Sequence, residues 1–148
     1  MVTKMNQKTL IERLHEIQGQ EKKKNYLPLD KISSLSQQSQ ISLAKIYGVL
    51  TYYTMFSDRP RGRYLIRLCS NLPCHLDHVE KVKAKITQIL GIDFDQTTDD
   101  GLFTLEQSSC LGMCAESPAM IINDIPFGHL TPARAAKIIA DVRSGDKS

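Results

Sequence analysis

The sequence predicts an α/β protein, with a helical region over residues 1–60 followed by a mixed strand-and-helix domain over 61–148. Three observations carry this. Before residue 60, apolar side chains recur at helical spacing in three successive stretches. After it, Arg63 to Leu68 alternates in the two-residue period of a strand, and helical and strand-like stretches then follow one another. Between the two parts, Asp58-Arg59-Pro60-Arg61-Gly62 supplies the proline and glycine that punctuate a boundary.

The first helix is expected over Thr9 to Gly19, with Leu10, Leu14 and Ile17 on one side and Ile11 beside them. Gln20 to Asn25 is a charged connector. Pro28 suits the opening turn of a second helix, where its missing N–H is not needed, and Leu29, Ile32 and Leu35 mark its buried side. The polar stretch Ser39 to Ser42 breaks the pattern, and Ser42 is a fitting N-cap for a third helix, Leu43 to about Phe56. Apolar residues run nearly all round that helix, which predicts burial on several sides. Its aromatic residues read as core or subunit contact.

In the second part, the Arg63–Leu68 strand directs Tyr64, Ile66 and Leu68 to one face and Leu65 and Arg67 to the other. Asp77 to Leu90 is a helix with Val79, Val82, Ile86 and Ile89 aligned and Gly91 as its stop. Gly101 to Leu105 is a short strand. Ala119 to Ile122 is another, turning at Asn123-Asp124 into a hairpin partner, Ile125 to Phe127. Thr131-Pro132 opens the last helix, with Ala135, Ile138, Ile139 and Val142 as its stripe, and the tail frays from Ser144. Pro118 is expected in the trans form that most X–Pro bonds take.

Four cysteines, the only ones in the chain, are the candidate site. Cys69 and Cys74 stand in C-S-N-L-P-C, and Cys110 and Cys114 in C-L-G-M-C. Each short loop can turn two sulfurs toward one metal ion. A disulfide framework is disfavoured, because no secretory signal precedes the cysteines and the chain is long enough to fold without staples. Spacing leaves two readings: structural zinc on four thiolates, or a [2Fe-2S] cluster with two thiolates per iron. The plant-type C-x4-C-x2-C spacing is absent. Cys69 ends a strand, where α/β folds place their sites. Gly112, between two cysteines, lets the backbone turn tightly and aim N–H groups at sulfur. Pro73 stiffens the first loop. His75 and His78 are read as surface residues, because four cysteines already complete a ligand set.

Gly62-Arg63-Tyr64-Leu65-Ile66-Arg67-Leu68-Cys69, Thr97 to Leu105 and Cys110-Leu111-Gly112-Met113-Cys114 together resemble one family. It is that of the thioredoxin-like [2Fe-2S] ferredoxins, similar to the E-type subunit of NADH:quinone oxidoreductase and to the small subunits of NAD-linked hydrogenases and formate dehydrogenases. The resemblance runs from about Tyr26 to the last helix and includes Ile46 to Phe56. It implies a thioredoxin-like domain behind an N-terminal helical bundle, with one [2Fe-2S] cluster on Cys69, Cys74, Cys110 and Cys114. It further implies a one-electron relay subunit, with FMN and NAD(P) on a partner subunit and an iron–sulfur catalytic subunit in the same complex. A soluble hydrogenase or formate dehydrogenase, electron-bifurcating forms included, is the favoured parent. The E-type subunit of the respiratory enzyme is the alternative, and a four-cysteine zinc module the alternative of another class. The chain departs from the family at His78, where many members have glycine, and in the Ser70-Asn71-Leu72-Pro73 loop.

Composition sets the remaining bounds. Across 148 residues, 41% hydrophobic and 24% charged content is ordinary for a water-exposed globular chain. No apolar run approaches the ~20 residues that span a bilayer. Met1 to Leu10 is polar and lacks the core of a signal peptide, so a reducing cytoplasmic location is expected. The net charge of +3 is mild, and Lys22-Lys23-Lys24 with Arg59, Arg61 and Arg63 are the only basic clusters. They read as solvated or docking surface rather than as a nucleic-acid stripe. No glycine-rich nucleotide fingerprint is present. Residues 1–60 are the expected docking region.

Overall fold

The computed structural model describes residues 9–21 and 25–145. The chain divides into two compact units, Met1–Arg63 and Tyr64–Ser148.

The first unit holds three helices: α1 (Leu10–Gln20), α2 (Leu29–Ser39) and α3 (Leu43–Tyr52). Thr9 stands outside α1 as its N-cap. The Thr9 hydroxyl accepts the Glu12 N–H at 3.3 Å, and the Glu12 carboxylate accepts the Thr9 N–H at 2.6 Å, a reciprocal capping box. The middle of the expected connector, with its three lysines, lies outside the described residues. Pro28 is the N-cap of α2 rather than its first residue, and Gln40 closes that helix in the left-handed conformation. Ser42 caps α3 by accepting the Lys45 N–H at 3.4 Å.

The core of this unit is Leu14, Leu27, Ile32, Leu35, Ile46, Leu50 and Phe56. Leu29 is not part of it. It is 63% exposed, because Leu27, just before the helix, takes the buried place at its entry. Nor is α3 buried all round: Leu43 and Tyr52 are exposed. The helix also ends earlier than the sequence suggests, because Tyr53 is extended. A turn follows, with the Phe56 N–H bonded to the Tyr53 carbonyl at 3.0 Å, and it returns Phe56 to the core. Arg61 secures that turn. Its guanidinium donates to the carbonyls of Thr54, Met55 and Phe56, each at 3.2 Å, so this arginine is structural.

The second unit is a five-stranded sheet with three helices. In chain order these are β1 (Tyr64–Cys69), α4 (Leu72–Leu76), α5 (Val79–Leu90), β2 (Gln96–Thr97), β3 (Phe103–Ser108), β4 (Met120–Ile122), β5 (Ile125–Phe127) and α6 (Pro132–Gly145). The strand order is β2-β3-β1-β4-β5. β1 and β3 are parallel, from Tyr64 opposite Phe103 to Cys69 opposite Ser108, and the other pairs are antiparallel. The expected hairpin forms with Asn123 left-handed at its turn. Leu65 is buried along with Ile66 and Leu68, so β1 is covered on both faces, and Arg67 meets Glu106 across the ladder at 3.4 Å. The core gathers Ile66, Val82, Ile86, Phe103, Leu105 and Ile139.

Several features of this unit differ from expectation. The helix expected from Asp77 begins at Val79, because His78 is left-handed at φ 63° and separates it from the short α4. β3 starts at Phe103 rather than Gly101, since Gly101 (φ 67°) belongs to the turn that joins it to the two-residue β2. The Ser117–Pro118 bond is cis, not trans. α6 runs through Gly145, past the point where fraying was expected, and the last three residues lie outside the described chain.

Candidate metal centre

Parallel pairing of β1 with β3 sets the site. Both strands run to the same edge of the sheet, so Cys69, the last residue of β1, lies opposite Ser108. The ladder continues one step further, with the Ser70 N–H on the Ser108 carbonyl at 2.9 Å. Cys110 follows two residues after Ser108. The chain after Cys69 turns at once into α4. Asn71 is its N-cap, accepting the Leu72 N–H at 2.8 Å, and Pro73 occupies its first turn. This turn carries Cys74 inward, where it is buried beside Cys69.

The second loop is built on Gly112. Its φ of 73° is a conformation that glycine adopts at no steric cost. The turn aims the Gly112 N–H at the Cys110 sulfur, 3.4 Å away. Cys114 opens a short 3-10 turn, Cys114–Glu116, and Cys110 and Cys114 are both exposed. Three contacts hold this segment down. The His129 N–H reaches the Glu116 carbonyl at 2.5 Å, the Leu130 N–H reaches the Pro118 carbonyl at 3.0 Å, and the Ser117 hydroxyl donates to the Asp77 carboxylate. The last bond ties the second cysteine loop to the residue that ends α4.

The four sequence-predicted cysteines lie near enough to perturb one another. Burial pushes the Cys74 thiol up to about 11. A hydrogen bond with Cys69 adds to this, the Ala119 backbone opposes it, and the nearby Cys69 and Cys114 raise it further. Partial desolvation by the surrounding chain and the neighbouring Cys110 also raise Cys114. Cys110 moves the other way, held below the ordinary thiol range by the Gly112 N–H and by a hydrogen bond with the Asn71 side chain. Among the described residues, no three His, Cys, Asp or Glu side chains form a group fit for a single ion. A two-iron cluster asks only for two thiolates at each iron, and the two loops supply pairs: an inner one, Cys69 with Cys74, and an outer one, Cys110 with Cys114. A free thiol set of this kind, none in a disulfide, fits such a cluster.

His75 and His78 stand on the surface, as expected, and His75 lies 3.6 Å from Glu80. Sequence reasoning missed three contributors. Asn71 was legible as a capping type two residues after a strand. The Ser117–Asp77 bond had no local signal, nor did Gly128, which packs so tightly on Glu116 that a β-carbon would not fit.

A family model described as "Thioredoxin-like [2Fe-2S] ferredoxin" matches residues 2–143. The chain belongs to that family. Among curated relatives of this ferredoxin is the NADP-reducing hydrogenase subunit HndA of Solidesulfovibrio fructosivorans. It is 32% identical over 78% of this chain and 68% of that subunit. Another is the E-type subunit of NADH-quinone oxidoreductase from Pseudomonas aeruginosa, 35% identical over 80% of this chain and 72% of its own. These relatives are subunits of oxidoreductases. The solved NAD+-reducing [NiFe]-hydrogenase in its air-oxidized state contains a chain of similar fold. The TM-score is 0.75 at 21% identity, over 90% of this ferredoxin but only 23% of the hydrogenase chain.

Proposed function

We propose that this ferredoxin is a one-electron relay, carrying a single [2Fe-2S] cluster as the small subunit of an NAD(P)H-linked flavoprotein oxidoreductase complex. The observation that carries this reading is the convergence of Cys69, Cys74, Cys110 and Cys114 in a chain of this family. When bound, the cluster supplies one-electron chemistry at a fixed point of the fold. Cys69 and Cys74 would hold one iron and Cys110 and Cys114 the other. Burial of the inner pair keeps water from that side, while the exposed outer pair faces the partner. The Gly112 N–H favours added negative charge at sulfur.

NADH gives up two electrons as a hydride, and a flavin is the usual device for splitting them. FMN and the NAD(P) site are therefore assigned to a partner subunit, and onward transfer to an iron–sulfur catalytic subunit. Residues 1–60 are assigned to docking. A soluble hydrogenase or formate dehydrogenase, electron-bifurcating or not, is the favoured parent. The near-equal identity to the quinone oxidoreductase relative supports the E-type subunit of that enzyme as a second reading. A cytoplasmic location goes with either, and among the described residues no helix is long and apolar enough to cross a membrane.

The test is anaerobic purification. Two irons and two labile sulfides per chain are expected, with a spin-half signal after dithionite. NADH should reduce the cluster only once the flavoprotein partner is added. One zinc per chain without visible absorbance would replace this reading with a zinc module. NADH oxidation by the flavin-free chain alone would overturn the division of labour.

A further inference from the structure

We propose that Asn71 is a positioning residue that couples the two cysteine loops and raises the potential of the cluster, by capping the helix that carries Cys74 and donating its amide N–H to the Cys110 sulfur. The proposal deepens the relay reading and rests on the four cysteines being ligands.

The backbone places the two residues together. Cys69 is opposite Ser108 in the parallel ladder, and the Ser70 N–H continues it onto the Ser108 carbonyl at 2.9 Å. Asn71 and Cys110 are each two residues beyond the last pair, at the same end of the sheet, and the Asn71 side chain bears on the Cys110 thiol through a hydrogen bond. Two further bonds pin this edge: the Ser70 hydroxyl on the Ser108 carbonyl at 3.2 Å, and the Gln107 amide on the Ser70 hydroxyl at 2.8 Å.

The Asn71 carboxamide has two unlike ends. Its oxygen accepts the Leu72 N–H at 2.8 Å, a bond only an acceptor can make. The end left for Cys110 is therefore the NH2 group, which can only donate. The Gly112 N–H is a second donor to the same sulfur, at 3.4 Å. Cys69 differs, since its sulfur lies 3.9 Å from the Ser109 carbonyl, an acceptor. The outer pair thus contains the sulfur with two donors, and donors at a ligand sulfur favour the form of the cluster that carries the extra electron.

The test uses the full-length protein loaded with cluster. Asn71→Ser keeps a capping oxygen but is too short to donate to Cys110 as well. Asn71→Asp keeps the cap, cannot donate when ionised and adds a negative charge. Both should retain two irons and two sulfides and show a more negative midpoint potential, Asn71→Asp the more so. A tenfold loss of preference for the added electron reads as about 59 mV. A structural cap alone predicts an unchanged potential for Asn71→Ser, and that result would overturn the proposal. If a variant fails to hold the cluster, NMR of the metal-free protein decides. The Asn71 side-chain amide protons should shift when Cys110 is changed to Ala, and an unmoved resonance would reject the contact. A parent protein without iron would overturn the relay reading, while the amide resonance would still report on the contact.

Discussion

Gly128 lies against Glu116 with no room for a side chain. A β-carbon on Gly128 would stand 2.5 Å from the Glu116 β-carbon and 2.9 Å from its carbonyl oxygen. The same strip of backbone, Gly128 to Leu130, supplies the N–H groups that hold Glu116 and Pro118. It is therefore the backstop of the loop that presents Cys114.

Gly128→Ala should push this loop outward. Overpacking of this kind costs about 1–3 kcal/mol. The expected outcome is a lower melting temperature and faster iron release to a chelator than from the parent protein. Equal release rates would mean that the loop absorbs the methyl group without moving Cys114.

His78 takes a left-handed backbone, a conformation that glycine adopts at no steric cost, and its side chain makes no cap bond to α5. Nothing visible offsets the conformational cost. His78→Gly should stabilise the second unit by about 0.5–1 kcal/mol, the left-handed penalty less the extra freedom glycine gives the unfolded chain. Thermal melts of the two proteins check this, with iron content unchanged.

Features with local chemistry were legible in the sequence. Two caps were readable because their chemistry is local: Ser42, and Thr131 ahead of Pro132, the Thr131 hydroxyl accepting the Arg134 N–H at 3.1 Å, whereas Thr9 was expected inside the first helix and not as the cap it forms with Glu12. The hairpin at Asn123 was readable for the same reason. The five-residue α4 was too short to show periodicity, although Asn71 and Pro73 both marked its start. The place of β3 beside β1 was not readable, because parallel pairing depends on packing of the whole layer. Gly128 was invisible because the residue it makes room for is twelve positions away in a loop without pattern. The cysteines were legible as a set, yet nothing in their spacing separated a buried inner pair from an exposed outer one.

The ligand assignment gives its own outcome. Replacing Cys69, Cys74, Cys110 or Cys114 singly by Ser should damage the cluster, because each supplies one of four thiolates. His75→Ala should spare it, since that ring points to Glu80 at the surface. Visible absorption and iron content decide. Loss of iron in the His75 variant, with a native spectrum in a cysteine variant, would reassign the site.

The unequal thiols predict how the metal-free fold responds to pH. Folding raises the Cys74 thiol from an ordinary 9.0 to about 11, chiefly through burial. Between those values the unfolded chain has given up a proton that the folded chain keeps. The unfolded state therefore binds fewer protons, and stability falls as pH rises through that window. Cys110 acts in the opposite sense: its lowered value adds stability above the ordinary thiol range, lost as pH falls through the depressed value. Denaturant unfolding of metal-free protein from pH 7 to 11 should show the decline, and Cys74→Ser should flatten it. The loaded protein should lack that decline, because its thiolates have already released their protons to bind metal. Parallel parent and Cys74→Ser curves above pH 9 would show that burial of Cys74 does not control the metal-free fold.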